Sequence, residues 1–94
     1  MSITVILPSA LVEYAGGRHT LNIEGHAGMS VTELLDHLTL HHPAVVRRVR
    51  DETGCLRRHV NVFIDGTESR ANGAETAPVP AGAVVHIIPA VSGG

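Results

Sequence analysis

Apolar residues recur along this chain at two spacings, every second residue in some segments and every third or fourth in another. Alternation predicts four β-strands, because successive side chains of a strand point to opposite faces of a sheet. These strands cover residues 3–7, 19–23, 60–66 and 84–88, the third running into a tight turn. The glycine pair Gly16-Gly17 lies between the first two, which predicts an N-terminal hairpin with a long connection.

Helical spacing follows the second strand and is the clearest local signal in the chain. Ser30 and Glu33 have the spacing of a capping box, in which each side chain accepts a hydrogen bond from the other residue's backbone N–H. Apolar residues at 31, 34, 35 and 38 then predict an amphipathic helix over 31–41. Pro43 is expected to end it, and a short helical turn over 44–50 is expected to follow.

The polar segment 67–82 is too long to be a structureless connection in a compact domain, so it is expected to contain a short edge strand and turns. The order of elements matches neither the alternation of a doubly wound sheet nor an all-β sandwich. It predicts an α+β fold, with a mixed sheet of four to five strands and one main helix packed across one face. Residues 1–94 are expected to form one domain.

Composition excludes several classes of protein. A net charge of −2 and an aromatic content of 2% argue against binding to nucleic acid or to anionic lipid. The one cysteine, Cys55, rules out an internal disulfide framework and a four-thiolate cluster. Neither a secretion signal nor an apolar run long enough to cross a bilayer is evident, so we expect a soluble cytoplasmic protein that does not associate with a membrane.

The last residues, Val91-Ser92-Gly93-Gly94, follow the final apolar strand directly. Because glycine has no Cβ, an extended Gly-Gly can pass through a narrow channel and present its carboxylate where any side chain would clash. We expect a flexible tail over about 90–94. The alternative is an ordinary frayed terminus without a function.

Together, these features resemble the ubiquitin-like β-grasp fold, and more narrowly the ThiS/MoaD-type sulfur carriers, with the CysO-type carriers of cysteine biosynthesis nearest. The resemblance rests on the capped helix and Gly16-Gly17, and on the segments Arg58-His59-Val60-Asn61-Val62-Phe63-Ile64-Asp65 and Ile87-Ile88-Pro89-Ala90-Val91-Ser92-Gly93-Gly94. Ser92 stands where alanine is common in the family.

The resemblance implies that the protein is a co-substrate and not an enzyme. A partner E1-like enzyme would adenylate the Gly94 carboxylate with ATP, and a sulfur donor would displace AMP to leave a thiocarboxylate. Gly94 would carry the sulfur and Gly93 would provide steric clearance. The carrier would bind no cofactor itself. Further partners would be a sulfur-accepting synthase and, in cysteine biosynthesis, a metal-dependent peptidase; other members supply sulfur to thiazole, molybdopterin or secondary metabolites.

Strand parity predicts a docking surface for such partners. If Val60, Val62 and Ile64 face the helix, then Phe63 faces outward, and His86 and Ile88 emerge beside it from the last strand. Phe63, His86 and Ile88 are therefore candidate partner-binding residues, together with the tail residues Val91, Ser92 and Gly93. The alternative places Phe63 under the long loop.

Two other functions remain open at this level. A ubiquitin-like modifier would join Gly94 to lysines of other proteins, and a non-covalent β-grasp binding module would not need the glycines at all. His37 and His41 lie one helical turn apart, a spacing at which two imidazoles can bind zinc. No third ligand is apparent, so we expect surface histidines and no metal.

Overall fold

The computed structural model describes residues 2–89, which form a mixed five-stranded sheet with three α-helices. The strands are β1 (Ser2–Ile6), β2 (Thr20–Glu24), β3 (Val60–Ile64), β4 (Thr67–Glu68) and β5 (Val84–Pro89). The helices are α1 (Ser9–Val12), α2 (Val31–His41) and α3 (Pro43–Val49). The predicted α+β class and mixed sheet are confirmed. None of the described helices is long and apolar enough to cross a membrane.

The sheet order is β2-β1-β5-β3-β4, so the last strand in sequence lies in the middle. β1 pairs antiparallel with β2, which confirms the N-terminal hairpin, and β5 runs parallel to β1 and antiparallel to β3. β5 therefore joins two halves of the sheet that would otherwise be separate.

One face of the sheet packs against the helices and holds the core. Strand residues with odd numbers alternate with more exposed neighbours in β1, β2 and β5, as do the even-numbered residues of β3. Their buried side chains join those of α2 and α3 in a single cluster. The strands contribute Ile3, Val5, Leu21, Ile23, Val60, Val62, Ile64, Val85 and Ile87.

Helix α2 begins and ends where the sequence predicts. The Glu33 N–H donates to Ser30 Oγ at 3.2 Å and the Ser30 N–H donates to Glu33 Oε1 at 3.2 Å, so the capping box is formed. Pro43 does more than end the helix. It is the first residue of α3, where its missing N–H costs no hydrogen bond.

The connection between β1 and β2 contains structure that the sequence analysis did not predict. Helix α1 and a 3₁₀ turn over Glu13–Ala15 fill it, burying Leu11 and Ala15 against the core. Gly16 follows with a φ of 67°, a conformation that glycine adopts without strain.

The segment after β3 contains the expected short edge strand, β4, reached through a tight turn. Asp65 and Gly66 both have positive φ, at 49° and 87°, as a two-residue hairpin requires. Beyond β4 the chain forms two 3₁₀ turns and is then tied to the start of α2. The Val31 N–H donates to the Ala77 carbonyl at 3.0 Å, and the Val79 N–H donates to the Met29 carbonyl at 2.8 Å.

Candidate functional site

The face of the sheet opposite the helices carries the predicted docking residues. The β3–β5 register places Phe63 opposite His86 and Asn61 opposite Ile88. Phe63 and His86 are half-buried, while 44% of Ile88 is exposed. The alternation of burial in β3 and β5 therefore has the predicted parity, and Phe63 is half-buried, not fully buried. Phe63, His86 and Ile88 form one surface, called here the outer-face patch; its role in binding partners stays a prediction.

The patch also extends across β1, which strand parity in β3 and β5 does not predict. Ile6 pairs with His86 on the side away from Phe63, and Thr4 pairs with Val84. Ile6 is half-buried and has the parity of the outer face. Alternation within β1 places Ile6 on the outer side, but its neighbour on β5 depends on a long-range parallel pairing that no local pattern shows.

Arg70 fixes the polar border of the patch at the start of β3. Its Nη1 donates to the Val60 carbonyl at 2.8 Å and to Asn61 Oδ1 at 2.9 Å, and its Nη2 donates to the Arg57 carbonyl at 3.0 Å. Glu68 lies 3.5 Å from Nη1. One guanidinium thus holds the 3₁₀ turn after β4 against the beginning of β3.

The described residues end at Pro89, which is the last residue of β5. Pro89 lies opposite Val60 of β3. The predicted site residues Val91, Ser92, Gly93 and Gly94, and the predicted flexible tail, lie outside the described residues. Their roles remain predictions.

A groove of about 280 Å³ lies directly beside Pro89 and is called here the Pro89 groove. It is lined by Ala10, Leu11, Tyr14, Arg48, His59, Val60, Ile87 and Pro89. The guanidinium carbon of Arg48 lies 3.6 Å from the centroid of the Tyr14 ring, a cation–π contact that holds the charge at the wall of the groove. No local pattern predicts this groove, because α1, the 3₁₀ turn after it, α3, β3 and β5 build it together.

A larger groove of about 650 Å³ runs along α2, α3 and the loop that follows α3. Its arginines lie among carboxylates, and Arg50 Nη2 contacts Asp36 Oδ1 at 2.7 Å. Within the loop, Asp51 accepts hydrogen bonds from the Thr53 hydroxyl and from backbone N–H groups, and these lower the pKa of its carboxyl. The charges of this groove are largely balanced internally, as expected of a structural turn.

The histidines do not converge. His37 and His41 are both exposed on α2, and among residues 2–89 no three His, Cys, Asp or Glu side chains are grouped so as to hold a metal ion. His26 Nε2 lies 3.0 Å from Glu33 Oε2. The hydrogen bond to the Ala27 carbonyl and the Glu33 carboxylate raise the pKa of the His26 imidazole above 6.5.

Comparison with known proteins places these features in a family. The model of the ThiS family matches residues 5–94. The sulfur carrier protein CysO of Mycobacterium tuberculosis is 27% identical over 96 residues, covering the whole of both chains. Small archaeal modifier protein 1 of Haloferax volcanii is 39% identical over 84 residues, covering 89% of this chain and 91% of the relative. A chain in the crystal structure of the Amycolatopsis orientalis BexX/CysO complex has a TM-score of 0.82 and 32% identity, covering 98% of this chain and 99% of that one.

Proposed function

The chain belongs to the ThiS family, and we propose that it is a sulfur carrier whose Gly94 carboxylate is adenylated by a partner enzyme and then converted to a thiocarboxylate. The thiocarboxylate would donate its sulfur in the biosynthesis of cysteine or of another sulfur-containing metabolite. The similarity to CysO over the full length of both chains supports this proposal.

One structural observation carries the proposal. β5 is the central strand: residues 84–86 pair with β1, residues 85–89 pair with β3, and the strand reaches Pro89 only five residues before Gly94 in the sequence. The first half of β5 is held by two neighbours and its last residues by β3, so an enzyme that grips the outer face gains a fixed position for the start of the tail. Binding energy spent on the body of the carrier can then orient the reacting carboxylate.

The chemistry follows from the poor reactivity of a carboxylate. The Gly94 carboxylate oxygen would attack the α-phosphorus of ATP, releasing pyrophosphate and forming an acyl-adenylate. A hydrosulfide equivalent would then attack the acyl carbon and expel AMP, which is a far better leaving group than oxide. The product is a thiocarboxylate, whose sulfur is a good nucleophile at neutral pH.

We assign the catalysis to partners and the role of co-substrate to this chain. The proposed partners are an E1-like activating enzyme, a sulfur-accepting synthase and, for cysteine, a metal-dependent peptidase. ATP belongs to the activating enzyme, and the reaction is assigned to the cytoplasm. The BexX/CysO complex supports this division of labour, since there a similar chain is assembled with a second protein.

A second candidate function is favoured by the similarity to small archaeal modifier protein 1. A modifier would use the same acyl-adenylate but transfer Gly94 to an amine, giving an amide on a target protein. Branched glycine adducts on lysines of other proteins would identify it. A non-covalent binding module would, in contrast, keep its function after deletion of Gly93-Gly94.

Intact-mass spectrometry tests the proposal directly. The purified chain is incubated with ATP, sulfide and candidate activating enzymes, and the mass gain expected for replacing one oxygen by sulfur is measured. A variant lacking Gly94 is the control and should not gain mass. If no activating enzyme converts the full-length chain, the proposal is wrong.

A further inference from the structure

The Pro89 groove combines an apolar floor with a positively charged wall. Leu11, Val60 and Ile87 are buried side chains that reach its floor. Arg48, His59 and Tyr14 are the lining residues with polar side chains, and the lining includes no carboxylate among the described residues. Such a surface fits an apolar side chain that has a negative charge next to it.

Arg48 differs from Arg50 and Arg70 in the side chain that it contacts. Arg50 and Arg70 each lie within 4 Å of a carboxylate, Asp36 and Glu68 respectively. For Arg48, no described carboxylate lies within that distance; its Nη1 donates only to the Ala44 carbonyl, at 3.1 Å, and its plane is held by Tyr14. A guanidinium that is fixed in orientation but has no anionic partner is prepared to bind one, because less side-chain entropy remains to be lost.

We propose that the Pro89 groove docks the activating enzyme, which places an apolar side chain on the groove floor and a carboxylate on Arg48. This inference rests on the proposed function and names the chemistry of that partner's surface. It adds a contact separate from the outer-face patch, since Ile87 points to the groove and Ile88 to the opposite face.

The position of the groove argues for this occupant. Pro89 lines it, and the five residues to Gly94 span at most about 18 Å when fully extended. An enzyme that holds the Gly94 carboxylate at a nucleotide must therefore bring its own surface close to the groove. Charge complementarity then favours an acidic side chain at that point.

Charge reversal at Arg48 tests the carboxylate contact. We compare Arg48→Glu with Arg47→Glu, which makes the same charge change on the neighbouring exposed residue of α3, outside this groove. The measurement is the carrier concentration that gives half the maximal rate of thiocarboxylate formation, with an activating enzyme that converts the wild-type chain. We expect a rise of about tenfold for Arg48→Glu and of less than about twofold for Arg47→Glu.

Filling the groove tests the apolar contact without changing charge. Ala10 is exposed and lines the groove, so Ala10→Trp should block it while leaving the core intact. Ala27→Trp, at an exposed turn elsewhere, is the matched control. We expect the half-maximal concentration to rise about tenfold for Ala10→Trp only, with thermal unfolding measured for all variants. Because Ala10→Trp leaves Arg48 and Tyr14 in the chain, it remains informative if Arg48→Glu unfolds.

The other outcomes each overturn the inference. Unchanged half-maximal concentrations in both groove variants would show that the enzyme does not touch the groove. A lower value for Arg48→Glu would indicate that the groove holds the chain's own negatively charged terminus. A wild-type dimer that dissociates in both variants would indicate a second copy as the occupant. If no activating enzyme converts even the wild-type chain, the proposed function itself fails, and this inference fails with it.

Discussion

Ile88 offers the sharpest test of the outer-face patch, because a matched control lies on the other side of the molecule. Ile88 and Leu40 are the two large apolar side chains exposed in residues 2–89, at 44% and 76%. Ile88 lies in the outer-face patch, whereas Leu40 lies on α2. We predict that Ile88→Asp weakens binding to the activating enzyme and that Leu40→Asp does not.

The size of the effect follows from the exposed fraction of Ile88. Full burial of an isoleucine is worth about 1.5–3 kcal/mol, so covering the remaining 44% contributes about 1 kcal/mol, or roughly fivefold in affinity. Ile88→Ala should lose about that amount. Ile88→Asp must also bury a carboxylate, and the cation beside its cross-strand neighbour Asn61 is Arg70, whose guanidinium is already bound to Asn61 and to two backbone carbonyls. We expect a total loss of at least about 2 kcal/mol, or about thirtyfold.

Isothermal titration of the activating enzyme with each variant measures these affinities, and thermal unfolding confirms that the variants fold. Leu40→Asp introduces the same charge at a more exposed apolar residue, so it controls for net charge and for general loss of surface hydrophobicity. Equal weakening by Ile88→Asp and Leu40→Asp would refute the reasoning, as would unchanged binding of Ile88→Asp.

Three further predictions concern the terminus, pH and stability. Adding one alanine after Gly94 should abolish thiocarboxylate formation in the intact-mass assay and leave the melting temperature unchanged; a normal yield from the unprocessed extended chain would contradict this. The hydrogen bond to the Ala27 carbonyl and, after it, the Glu33 carboxylate raise the folded-state pKa of His26. The protonated imidazole should therefore stabilise the protein below its unfolded-state pKa of about 6.5, for as long as Glu33 stays ionised, and lose that contribution as pH rises through the raised value. Glu33→Gln should remove the share due to Glu33 and so partly flatten the pH–stability profile in urea unfolding, and an unaltered profile would argue against the pair. Arg70→Ala should lower the free energy of unfolding by about 2 kcal/mol, because two backbone carbonyls lose a charged donor, whereas Arg18→Ala should change it by less than about 0.5 kcal/mol. Equal urea midpoints for the two arginine variants would count against that role.

Local signals in the sequence were sufficient for α2 and for the orientation of the outer-face residues. The capping box and the apolar spacing both depend on contacts within one turn of helix, so the sequence alone predicts them. Strand parity likewise requires only that side chains alternate. Phe63 and Ile88 could therefore be assigned to the outer face without knowledge of the sheet order.

The missed features depend on contacts between distant segments. Helix α1 has only four residues, too few for a helical period to stand out, although Leu11 and Ala15 at i and i+4 with Gly16 after them were a usable signal. The Pro89 groove needs α1, α3, β3 and β5 in one place, and Arg70 meets β3 only after the chain has turned back through β4. The spacing of residues along the sequence does not predict contacts between segments so far apart in the chain.

The central position of β5 also affects when the protein becomes recognisable during its synthesis. Until translation reaches this strand, the β1–β2 and β3–β4 hairpins have no shared hydrogen bonds and the sheet cannot close. Since long-range pairing must wait for the later segment to leave the ribosome, a nascent chain that has not yet reached β5 lacks the finished outer face. Enzymes that select the folded domain would accordingly ignore unfinished or truncated chains, a form of quality control that requires no separate inspection step.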